Sequence, residues 1–118
     1  VSARALAGLL TTTGILHFVT PGPFDGIVPR ALPGSPRAWT LVSGAAELVV
    51  AAAVAHPRSR RAGALAAAGL FAAVFPANVQ MAVDWRDASP GRRAIAYGRL
   101  PLQVPLVIWA LRVSRNAR

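Results

Sequence analysis

An all-α fold, an integral membrane four-helix transmembrane bundle, is what this sequence predicts, and three observations predict it. The first is composition. Of 118 residues, 54% are hydrophobic and only 14% charged, and the mean hydropathy is +0.47. Soluble domains carry about 25% charge, and a chain this short has a large surface to wet. The second is segmentation into four apolar runs, at about 4–20, 38–55, 62–83 and 99–114. The third is the punctuation between them. Proline, glycine and arginine clusters separate the runs, and irregular backbone does not lie exposed in hydrocarbon. The whole chain, 1–118, reads as a single membrane domain.

Each run has its own signature. Crossing ~30 Å of hydrocarbon takes about 20 helical residues. The first run, with only Arg4 before it, is slightly short. No small-residue cleavage site follows it, so it reads as a retained span and not a signal peptide. Pro21, Pro23, Pro29, Pro33 and Pro36 are expected to end the first helix and fill the first loop. The second run has Glu47 as its one formal charge. A tight basic turn, His56 to Arg61, leads into the third. Gly63 with Ala67, and Ala64 with Ala68 and Ala72, offer small residues at four-residue spacing for close helix approach. The third loop opens at Asp84 and carries Pro90-Gly91-Arg92-Arg93. The fourth run is the weakest. It is expected to rely on Arg99 and Arg112 snorkelling outward. Trp39, Trp85 and Trp109 lie near run ends, where interfacial aromatic belts form.

Charge narrows the partners. The net charge of +9 comes from thirteen arginines and no lysine. The arginines sit between apolar runs and form no stripe, so the expected partners are membrane lipids and not nucleic acid. Arg58, Arg60 and Arg61 make the second turn the densest cluster, which predicts cytoplasmic termini. The same turn could recruit a soluble redox partner. With no cysteine, thiolate catalysis and cysteine-ligated metals are excluded within the chain. His17 and His56 are separated by ~20 Å along the bundle axis. They cannot be the two axial ligands of one haem, and zinc would need more ligands than His17 and Glu47 supply.

Ionisable and amide side chains inside spans are costly and usually mark function. His17, Glu47, Asn78 and Gln103 qualify, one from each run. His17 falls ~20 Å from the cytoplasmic edge, Glu47 ~14 Å below the outer edge and Asn78 ~24 Å up. Gln103 falls in the first turn of the fourth helix. All four therefore converge in the outer half, beneath Trp39 and Trp85. Glu47 and His17 could hold or pass a proton. Asn78 follows Pro76, and could instead satisfy the carbonyl that the proline frees.

The segments Gly14-Ile15-Leu16-His17-Phe18 with Pro21, Ile27-Val28-Pro29 with Leu32-Pro33, Ser43-Gly44 with Glu47, and Phe75-Pro76-Ala77-Asn78 resemble the DoxX-like membrane proteins. The resemblance covers about residues 12–85. It implies a four-helix bundle in the bacterial cytoplasmic membrane and an accessory role in a membrane redox system. It also implies a quinone or similar lipophilic ligand near His17, Glu47 and Asn78. A proton-coupled transporter that oligomerises to enclose a path, and a structural anchor for a partner protein, are the competing expectations. No catalytic residue is identified.

Overall fold

The computed structural model describes residues 2–26, 28–29 and 31–117, and every described element is helical. Ile27, Arg30 and Arg118, which enter the resemblance and the arginine tally, lie outside the described residues. The helices are α1 (Ala3–Val19), α2 (Pro21–Asp25), α3 (Pro36–Ala55), α4 (Arg60–Ala73), α5 (Phe75–Asp84) and α6 (Pro90–Asn116).

Three segments are long and apolar enough to cross a membrane: Pro36–Ala55, Arg60–Asp84 and Pro90–Asn116. The 17-residue α1 is a shorter apolar helix, ~26 Å long. These are the features of a multi-pass membrane protein.

Local chemistry starts the helices where the sequence permits. Ser2 accepts from the Ala5 amide, Ser35 from Ala38, and Ser89 from Arg92, each as an N-cap. Pro36 and Pro90 follow the last two caps, at positions where a missing N–H costs nothing. The same rule corrects the first loop. Pro21 begins the short α2, where a plain loop was expected. It also corrects the fourth span, which begins at Pro90 rather than near 99.

The third span is interrupted at a single residue, which itself keeps a helical backbone. Pro76 has no N–H for the Ala72 carbonyl, and α4 gives way to α5 at Val74. Pro101 and Pro105 lie inside α6 without ending it.

The four long segments meet at one end of the bundle. There Leu6 and Leu10 of α1, Ala51 and Val54 of α3, Ala64, Ala67 and Ala68 of α4, and Ala110 and Val113 of α6 form the main core. Trp109, expected in an interfacial belt, packs against this core. Small residues let α4 sit close to its neighbours. A Cβ on Gly63 would lie 2.8 Å from the Ala53 backbone. Ala72, expected on the same packing face, is exposed.

The basic turn is part of this end. Arg60 donates through Nε to the Val54 carbonyl (2.8 Å) and through a terminal nitrogen to Ala55 (2.9 Å). It thereby satisfies the last carbonyls of α3. Arg60 thus spends its donors within the fold, while Arg58 and Arg61 are exposed.

Candidate functional site

At the opposite end the helices diverge around a cavity of about 460 Å³. Thr13 and His17 of α1, Thr40, Ser43 and Glu47 of α3, and Phe71, Val74 and Ala77 of the broken span line it. Arg99 of α6 completes the wall. Phe24 of α2 and the loop residues Val28, Pro29 and Leu32 line it as well.

Two glycines set the geometry. α1 and α3 cross where Gly14 faces Gly44. A Cβ on Gly44 would lie 2.6 Å from the His17 Cβ and 3.1 Å from the Gly14 carbonyl oxygen. The backbones approach this closely because neither residue has a side chain. That approach brings His17 against Glu47, one turn further along α3.

His17 Nδ1 lies 2.6 Å from the Thr13 carbonyl oxygen and 3.1 Å from Glu47 Oε2. A carbonyl can only accept, so Nδ1 carries the proton and Nε2 is the free ring atom. The ring stacks on Phe24, with centroids 3.9 Å apart and planes 16° apart.

Glu47 Oε1 meets the Thr13 hydroxyl at 3.1 Å, while that hydroxyl also lies 3.0 Å from the Leu9 carbonyl. A hydroxyl has one proton. Thr13 can donate it to ionised Glu47, or give it to Leu9 and accept from a protonated Glu47. The acid is therefore housed in either protonation state. The flanking Thr11 and Thr12 donate to the carbonyls four residues back (2.7 and 2.8 Å), which conceals their hydroxyls from lipid.

The four polar residues expected to converge form two separate pairs. His17 and Glu47 share the cavity wall. Asn78 and Gln103 do not line it. Asn78 Nδ2 donates to Gln103 Oε1 at 2.8 Å, and Gln103 Nε2 donates to the Phe71 carbonyl. This second pair joins α5 and α6 behind the wall, and it serves the backbone next to the helix break. Gln103, rather than Asn78, reaches a carbonyl there. Because α6 starts early, Gln103 also lies in mid-helix and not in the first turn.

Arg99 differs from its expected place too. It is ten residues into α6, partly buried on the cavity wall. It makes no hydrogen bond or ion pair among the described residues. A fourth span beginning at Arg99 would put it at the membrane interface; the helix begins nine residues earlier, at Pro90. The Ser89-Pro90 cap signal would have moved the helix start and revealed its depth.

Of the aromatics, Trp39 lines the cavity and donates through Nε1 to the Pro33 carbonyl at 2.6 Å. Trp85 does not. It packs with Met81 and Ala96, beneath the Arg92 guanidinium at 5.9 Å.

The first loop is strapped to α3. Arg37 Nε donates to Asp25 Oδ2 at 2.8 Å. The nearby Thr40 hydroxyl and the Arg37 guanidinium hold the Asp25 carboxyl below the usual carboxylate range. Between the strap and the Trp39 anchor, Gly34 adopts φ +84°, a turn conformation that favours glycine.

A family model described as Domain of unknown function (DUF8561) matches residues 6–114. No DoxX family model matches. No curated protein and no solved structure matches the chain.

Proposed function

We propose a binding function for this chain, which belongs to the DUF8561 family: its cavity takes a small lipophilic ligand with a hydrogen-bonding head group. The observation that carries this reading is a polar pair, His17 and Glu47, set into an otherwise largely apolar cavity. Ligand sites have this character, with volumes of about 300–1,000 Å³ and a few placed polar groups. His17 Nε2 is free to meet a head group, and the Glu47–Thr13 arrangement can supply or receive a proton.

The DoxX-like resemblance rests partly on these same two residues. It adds a quinone as a candidate ligand and an accessory role in a redox system of the bacterial cytoplasmic membrane; the basic turn at Arg58, Arg60 and Arg61 adds cytoplasmic termini. The test is binding of a short-chain quinone analogue to protein in nanodiscs. The comparison proteins are Glu47→Gln and the cavity-filling Ala73→Trp. Binding that is weakened by the first and abolished by the second is expected. Equal or negligible binding in all three would rule the reading out.

A second reading, a proton-coupled carrier, draws on the break at Val74. Val74, Pro76 and Ala77 all line the cavity, and a proline inside a span is a place where it can bend. Glu47 would be the coupling acid. Proteoliposomes with no Glu47-dependent proton flux would remove it.

A further inference from the structure

We infer that the cavity ligand is a lipophilic acid, a carboxylate on a single apolar tail, and that Arg99 is the cation that receives its head group. The inference rests on the binding reading above and narrows it away from neutral quinones.

The starting point is Arg99 itself. A guanidinium does not escape burial by losing its proton. Taken from water, it needs an anion or several acceptors. Arg99 stands on the cavity wall with no partner among the described residues. The acids nearest that end are engaged elsewhere. Glu47 is bonded to Thr13 and stands 3.1 Å from His17, Asp25 is bonded to Arg37, and Asp84 accepts from Gln80 at 3.0 Å. The amide that could have reached it, Gln103, one turn along α6, is spent on Asn78 and the Phe71 carbonyl.

Arg99 lines the cavity, and Leu70, Phe71, Val74 and Ala77 give that cavity apolar wall. A planar guanidinium fork matches a carboxylate through two parallel hydrogen bonds, and such charge-assisted bonds are about twice as strong as neutral ones. A neutral carbonyl would satisfy a donor but leave the charge uncompensated. Glu47 fixes the orientation. Its oxygens on the α3 wall are turned to Thr13 and His17, whereas the Arg99 donors are unused, so the head group lies at α6 and the tail runs along the Leu70 and Phe71 wall. The volume, about 460 Å³, suits one tail and not a two-chain lipid.

The test is binding of decanoic acid, methyl decanoate and decanol to the full chain in nanodiscs, with empty nanodiscs subtracted. Wild type should bind the acid at least about tenfold more tightly than the ester or the alcohol, as one charge-assisted pair allows. Arg99→Gln should abolish that preference while leaving ester binding within about twofold. Arg99→Lys, which keeps the charge, should retain part of it. Equal binding of acid and ester in wild type overturns the inference, as does equal weakening of both by Arg99→Gln. If that equal binding is lost in Ala73→Trp, the cavity reading survives without the anion. If none of the three probes binds, both fall.

Discussion

The two ends of this bundle are built from the same four segments and pack in opposite ways. At the end holding the turn at 56–59, all four segments contribute to one core, in which Leu6, Leu10 and Val54 are fully buried among alanines. At the other end α1 and α3 touch through Gly14 and Gly44, but the broken third span and α6 stand away, and a cavity opens between them. The difference follows from residue size and backbone continuity. Alanine and glycine at helical spacing close one end. Proline interrupts the third span at the other, where His17 stands with Glu47 and Asn78 with Gln103. A hydrophobic chain can thus hold an open polar site because its close packing is concentrated at the far end.

Substitutions can break this contrast, and the largest effect is expected at the closed end. Leu10→Ala should destabilise by about 2–5 kcal/mol, the range for a fully buried leucine. Leu70→Ala, on the cavity wall, should cost about half as much, because a void already adjoins it. Thermal unfolding in one detergent, followed by helical circular dichroism, compares the two. Equal losses would mean that the cavity end is packed as tightly as the core.

Next is the glycine crossing. Gly44→Ala places a methyl 2.6 Å from the His17 Cβ, which cannot swing aside, so α1 and α3 must separate at a cost of about 1–3 kcal/mol. Gly69→Ala meets nothing within 4 Å and should be neutral or stabilising by up to about 1 kcal/mol. The same melts distinguish them.

The wall pair comes third. Gln103→Leu strands both the Asn78 amide and the Phe71 carbonyl, and should cost about 1–3 kcal/mol. Asn78→Leu strands only the Gln103 oxygen, and should cost less. The reverse order would refute the assignment of Gln103 to the backbone beside the break.

The smallest effect concerns the strap. The Asp25 carboxyl titrates below its ordinary range, so its contribution is complete above the unfolded-state pKa. It is lost as the pH falls through the lowered folded-state value. Proteolysis of the first loop should therefore accelerate on acidification in wild type. In Asp25→Asn the rate should already be raised at neutral pH and should change little with acid.

The helical class and the apolar runs were legible because lipid imposes a length and a polarity on each span. Glu47 and His17 were legible for the same reason, since ionisable groups are rare there. The partition of four polar residues into two pairs was not. It depends on the rotation of α6, and no periodic signal in the sequence reports a rotation fixed by contacts from Gln103 to another helix. The depth of Arg99 was obscured by Arg92 and Arg93, which read as loop although Ser89 and Pro90 begin a helix ahead of them. The short α2 was hidden because proline ends a helix as readily as it fits a first turn, and Pro21 does the second.

Trp39 carries one more consequence. Its indole stands in the cavity wall, with its nitrogen committed to the Pro33 carbonyl. Trp85 and Trp109 belong to other surroundings, one with Met81 and Ala96 and one against the main core. Replacing those two by phenylalanine would leave a single tryptophan, at the chamber, to be excited selectively over Tyr97. Its emission wavelength and quenching would then report filling and emptying in real time, without an attached dye.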